Sequence, residues 1–307
     1  MRHVIRSSAI ALFALATMGA SPTPRPDLSY RIEEGQNINA FVRQGPVAAH
    51  LLLRNGNDPR ILVAFPAGNS GVGLWFDRVA RPVTWRLERA PSPRSVGGLN
   101  GVVTTASVDA RSLRIKDAVL SNVRYLRDYQ AVGRYPAEIR ATPVISGDTI
   151  RYRRGRLDGA PGYELTLRVL SGRIADGAIV AAADGRICLE IIALTGDAPL
   201  TPLPIGEVLN ARAAADPAAR NALAFLSYRE KFLAGSWRFN TYFGRDTLMS
   251  VRLLMPALRP AAIEAGLDSV LARLSPTGEV AHEEGIGEFA ILQNRKAGRD
   301  GDAAELD

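Results

Sequence analysis

Residues 237–246 of this 307-residue chain read WRFNTYFGRD. Trp237, Phe239, Tyr242 and Phe243 place four flat rings in one short stretch, together with Arg238, Arg245, Asn240, Thr241 and Asp246. The stretch lies between two apolar runs of helical period, so it reads as a loop. An exposed loop has no packing reason to carry so many rings and hydrogen-bonding groups, whereas a sugar site does. Pyranose rings lay their apolar faces on aromatics. A guanidinium offers donors in a fixed fork and a carboxylate offers several acceptor lone pairs, so adjacent Arg245 and Asp246 can grip neighbouring hydroxyls. The same residues have a plainer use, with Asp246 as the N-cap of the next helix and Arg245 as its structural neighbour. On the residues alone both uses stand.

Three helical patterns surround the stretch. The first spans 217–234 and is closed by Gly235. The second spans 246–255, where Pro256 should end or kink it. Leu248, Met249, Val251, Leu253, Leu254 and Met255 surround it almost completely, which predicts burial on all sides. The third spans 260–274, and Ile263, Leu267, Val270, Leu271 and Leu274 give it one apolar stripe, as on a surface helix. If the second and third helices are antiparallel, the loop before one and the loop after the other share one end. The later loop, residues 275–287, reads SPTGEVAHEEGIG. The shared rim would then gather Trp237, Tyr242, Phe243, Arg245 and Asp246 with His282, Glu283, Glu284 and Glu288. The plainer reading of these glutamates is a solvated loop before a further helix, with Glu288 suiting that helix's N-terminal dipole.

The segment TYFGRDTLMS, an apolar helix, a second helix and then PTGEVAHE resemble the glycogen-debranching and glucoamylase-like group of six-hairpin glycosidases over roughly residues 220–290. The resemblance implies an (α/α)6 barrel whose inner helix begins at this motif. It also implies that Arg245 and Asp246 hold the sugar whose bond is cut. Trp237, Tyr242, Phe243 and His282 join them as expected substrate contacts through the shared rim, not through the resemblance. Enzymes of this group invert through two carboxyl groups without a metal, and their acid and base come from later hairpins. Within this chain Glu283 and Glu284 are the candidates for a catalytic carboxylate. An α-glucoside or related oligosaccharide is the implied substrate. A closed barrel of six hairpins needs more helices than the three or four legible before Asp307, so the chain reads as the front part of a longer protein. A non-enzymatic carbohydrate-binding envelope protein is the alternative. A purely structural β-domain of the envelope would leave WRFNTYFGRD unexplained.

Upstream, short β-like runs separated by Gly, Asn, Asp and Pro recur between residues 49 and 194, the pattern of a β-sandwich. Residues 119–127 also fit a helix. Residues 92–101, SPRSVGGLNG, read as a long turn, and 67–73, AGNSGVG, as another without the Lys-[ST] ending of a phosphate loop. Trp75 and Trp85 could serve as sugar platforms, but read first as sandwich core. The expected fold is therefore a β-sandwich over 36–200 followed by the first hairpins of an (α/α)6 barrel over 201–307. Arg2 and Arg6 ahead of the apolar run 9–20 give residues 1–20 the form of an export signal, followed by a Pro-rich tether over 21–35. A periplasmic or secreted location follows, with no stable membrane insertion after cleavage.

The formal net charge is +7, and three of the 38 basic residues are lysine. The charge is scattered apart from Arg151, Arg153, Arg154 and Arg156, so no nucleic-acid face is expected. Arg151 and Arg153 share one side of a strand, as on an exposed edge. Cys188 is the single cysteine, in an apolar run, and reads as a small hydrophobe. With only His50 and His282 beyond the signal, neither a metal site nor a cofactor is expected. The expected partner is an oligosaccharide, and nothing in the sequence sets the oligomeric state.

Overall fold

The structure is a computed structural model and describes residues 27–299. The expected signal and the polar C-terminal tail lie outside the described residues. Fourteen strands form two antiparallel sheets. The larger has the order β1 (Leu28–Glu34), β2 (Asn37–Gln44), β3 (Val47–Arg54), β4 (Arg60–Phe65), β5 (Ser70–Phe76), β8 (Ser112–Asn122), β13 (Ala178–Val180), β12 (Arg173–Ala175). The smaller has the order β6 (Trp85–Val96), β7 (Leu99–Asp109), β14 (Arg186–Thr195), β11 (Tyr163–Ser171), β10 (Thr149–Arg154), β9 (Pro143–Ser146). Their inner faces meet in one core, where Trp85, Leu51, Leu53, Leu165 and Ile191 are buried. The β-rich N-terminal part expected from sequence is thus present.

The two sheets differ in a way that the residue pattern dictates. In β14 burial alternates along most of the strand, as it does when one sheet face meets water. In β3, β4 and β5 nearly every residue is buried. Such a run needs cover on both faces. On the outer face that cover comes from α1 (Val123–Val132), α3 (Pro217–Leu226), α6 (Gly287–Lys296) and the loop that carries Trp237. Trp75 packs there edge-on to Tyr129, with ring centroids 4.7 Å apart. Trp75 and Trp85 are both core side chains, as expected.

Several expected elements are redrawn. Residues 28–34 are edge strand β1, not tether, paired along β2 from Leu28–Arg43 to Glu34–Asn37. The expected long turn at 92–101 is a tight hairpin in which Gly97 and Gly98 both take positive φ, as a two-residue loop of mirror-image type requires. Pro91 and Pro93 are tolerated beside it because β6 is an edge strand with two irregularities in register. The glycine-rich stretch becomes strand from Ser70 onward. Residues 119–127 are both of the things expected of them: β8 runs to Asn122, whose side chain accepts from the Arg124 amide at 2.8 Å and starts α1. Arg151 and Arg153 do share a side, but β10 lies between β9 and β11, so they sit on a sheet face around Glu164 and not on an edge.

The helical region changes more. The first helix stops at Leu226, because the Ser227 hydroxyl bonds back to the Leu223 carbonyl at 2.7 Å and the chain then pairs with 201–203. Helix α4 (Gly244–Leu254) is not buried all round. Only Gly244, Thr247 and Val251 are buried, and Leu253 is 71% exposed. Helix α5 (Pro260–Leu271) packs through its small residues together with Val270 and part of Ile263, and not through the leucines of the expected stripe. Ala262, Ala265, Gly266 and Ser269 are buried while Leu267 and Leu271 are exposed. Gly266 is needed there, since a Cβ would stand 2.5 Å from Val251. Helices α3 and α6 lie on the large sheet, against β1 and β8. Glu288 anchors α6: it is 0% exposed, pairs with Arg154, and accepts from the Ser121 hydroxyl and, at 2.9 Å, from the Leu157 amide. Its place is under the helix and not on an open rim. No helix among the described residues is long and apolar enough to cross a membrane.

Candidate functional site

The loop before α4 and the loop after α5 meet. The Gly244 amide donates to the His282 carbonyl at 3.1 Å, Phe243 and Glu283 form an isolated antiparallel bridge, and the Phe243 and His282 rings stand edge-to-face at 5.5 Å. Beneath them lies the contact that fixes their register. The buried Glu284 carboxylate pairs with Lys231 and Arg273 and accepts from the Thr241 hydroxyl at 2.5 Å and the Tyr242 amide at 3.2 Å. Burial pushes the Glu284 carboxyl up, but Lys231, Thr241 and Arg273 more than reverse this, so it titrates below the ordinary glutamate value. A carboxylate held ionised by two cations and closed off from solvent is a poor proton donor to a leaving group. Glu284 is therefore a structural anchor and is withdrawn as a catalytic candidate.

Above this anchor, a cleft of about 530 Å³ is walled by Phe239, Phe243, Arg245, Asp246, His282 and Leu254. Arg245 and Asp246 occupy the first turn of α4 and are exposed. The helix begins at Gly244 with Phe243 at its N-cap and no side-chain cap bond, so Asp246 is the third helical residue and not a cap. Among the described residues neither the Arg245 nor the Asp246 side chain has a hydrogen-bond or ion-pair partner. Phe239 is half exposed and stands edge-to-face with Phe243 at 5.5 Å. One cleft wall thus offers apolar ring edges and faces, and an adjacent wall offers an unused fork of donors and an unused carboxylate.

Four of the six expected substrate contacts, Phe243, Arg245, Asp246 and His282, share this cleft. Two do not. Tyr242 is 0% exposed, with the Arg273 guanidinium 4.7 Å over its ring, and burial raises its phenol pKa. It is core because the strand-like backbone from Thr241 to Phe243 sends alternate side chains to opposite sides. Its hydroxyl is buried with no partner among the described residues, so Tyr242→Phe is expected to leave stability within about 0.5 kcal/mol or raise it slightly, as denaturant unfolding would read. Trp237 turns the other way and packs against the Leu52–Tyr125 cluster beside a separate cleft of about 330 Å³. There Tyr30, Phe41 and His50 stack, and burial lowers the His50 pKa to about 4. Glu283 also leaves the Arg245–Asp246 cleft and faces a third cavity on the other side of the loop.

Lys231 and Arg273 escaped the sequence reading, because Lys231 follows the charged Arg229 and Glu230 and nothing in the sequence marks it as buried. Cys188 is half-buried in β14, its thiol pushed up by burial. No family model, curated protein or solved structure matches this chain.

Proposed function

We propose that the chain binds an oligosaccharide in the cleft of Phe239, Phe243, Arg245, Asp246 and His282. One observation carries this reading: Arg245 and Asp246 are adjacent, exposed and without side-chain partners among the described residues, on the wall of a cleft edged by aromatic rings. Unspent donors and acceptors beside apolar ring surface match the two-sided chemistry of a pyranose. The export signal read from sequence supports binding outside the cytoplasm. Arg245→Ala is expected to remove the retardation that soluble polysaccharides impose on the wild-type protein in affinity gels. Equal migration of wild type and variant in every polysaccharide that slows the wild type would overturn the assignment.

A second reading is glycoside hydrolysis within an (α/α)6 barrel of which α4 and α5 form one hairpin. It is favoured by the apolar surface left open on this pair, where Met249, Leu253, Met255, Leu267 and Leu271 face solvent. Further hairpins would cover it. Hydrolysis requires two carboxyl groups across the scissile bond. Asp246 is the one carboxylate lining this cleft among the described residues, and it serves here as a sugar ligand. The acid and base would come from segments other than these two loops.

A further inference from the structure

A third cavity of about 370 Å³ lies behind the saccharide cleft, on the opposite side of the same two loops. Its walls carry Arg124, Arg127 and Arg238, with Gln293, Phe289 and Glu283. Neighbours in sequence divide between the two spaces: Arg238 faces this cavity and Phe239 the saccharide cleft, while Glu283 faces this cavity and His282 the cleft. The two spaces are therefore back to back across one loop thickness. The Arg127 guanidinium joins them, lying 6.0 Å from the Phe239 ring centroid and donating to the Arg238 carbonyl at 2.8 Å.

The arginines are poorly compensated. Arg124 lies 4.8 Å over the Phe289 ring and is in no ion pair, and Arg238 is exposed with no side-chain partner among the described residues. Asp128 and Glu283 oppose the charge of Arg127. Glu284 also borders the cavity, but Lys231 and Arg273 already neutralise it. Arginine remains in excess. Burial lowers the Arg127 pKa, and the positive charges of Arg124 and Arg238 lower it further. Guanidinium groups gathered around a cavity with donors to spare are suited to a carboxylate or sulfate, whose oxygens accept in pairs.

We infer that this cavity is an anion subsite, and that a saccharide running from the cleft over the exposed Phe239 edge, where Arg127 stands, carries a uronic-acid carboxylate or a sulfate ester which Arg124, Arg127 and Arg238 hold. The inference rests on the saccharide reading of the neighbouring cleft. It is tested on a glycan array that pairs neutral oligosaccharides with their uronate and sulfated counterparts. Wild-type protein is expected to bind members of one anionic class about tenfold more tightly than the matched neutral glycans at low salt, the size of one charge-assisted hydrogen bond. The preference is expected to shrink as salt screens it. Arg238→Gln, which removes an exposed and unpartnered side chain, should fold normally and bring the preference close to one. Arg127→Gln should do the same, with the fold checked by circular dichroism. The class retained, carboxylated or sulfated, identifies the anion. Equal binding of anionic and neutral partners, or an anionic preference that survives both substitutions, would overturn the subsite and leave the saccharide reading standing. Binding to no glycan of any class would overturn both.

Discussion

Glu284→Ala is expected to lower the stability of the chain by about 3–5 kcal/mol, the usual cost of removing one partner from a buried ion pair. The size follows from what is left behind. Lys231 is buried and would keep an ammonium with its carboxylate gone, while Arg273, the Thr241 hydroxyl and the Tyr242 amide would each lose a partner. Those partners stand on three segments, so the loss also frees the loop before α4 from the loop after α5. Replacing the buried pair together, as Lys231→Met with Glu284→Leu, should restore much of the lost stability, because an apolar pair of similar volume carries no desolvation cost. Arg273 is partly exposed and can turn to solvent. Chemical denaturation of the three proteins measures both effects. A pH dependence accompanies them. The Glu284 pKa is lower in the folded chain than in the unfolded one, so its contribution is fully present above about pH 4.3, the ordinary glutamate value. It is lost as pH falls through the lower folded value. A wild-type stability that falls in acid more steeply than that of the Lys231→Met/Glu284→Leu variant is the expected signature.

The contrast between Glu284 and Asp246 shows how far the sequence could be read. Both are acidic residues near the meeting of two loops, and spacing alone assigned both to one rim. The loops do meet, because a helix pair joined by a short turn leaves its outer ends together. What spacing could not supply was the direction of each side chain. Glu283 and Glu284 are neighbours in an extended segment and both border one cavity, but the Glu284 carboxylate is tied to Lys231 and Thr241 beneath the loop. Tyr242 and Phe243 divide in the same way. Alternation within a short extended piece is set by its partner strand, and the partner here is a single residue pair far away in sequence.

The sandwich was more legible than the helices, for a physical reason. A strand facing water on one side writes its period into the sequence, as β14 does. A two-sided buried strand writes only an apolar run, and the run over β4 left open whether helices or another sheet covered it. Period also failed at residues 227–234, where apolar spacing continues but a serine back-bond and strand pairing end the helix. The leucines of α5 misled because this helix packs mainly on its glycine and alanines, where the backbones come close, and leaves Leu267 and Leu271 outside. The apolar residues that ring α4 predicted burial on all sides, yet Leu253 and Met255 are exposed there.

Asp246→Ala addresses the proposed site with the least disturbance to the fold. The side chain is exposed, caps no helix and has no partner among the described residues, so its loss should change stability by no more than about 0.5 kcal/mol. If its carboxylate accepts from two sugar hydroxyls, each charge-assisted bond contributes about 1.5–3 kcal/mol to binding, and the affinity should fall by about a hundredfold or more. The decisive measurement is a calorimetric titration of wild type and Asp246→Ala with an oligosaccharide from the polysaccharide that retards the wild-type protein. A loss of that size at an unchanged unfolding midpoint is the result expected of a saccharide site at Arg245 and Asp246. Equal affinities for the two proteins would contradict it and place the sugar elsewhere.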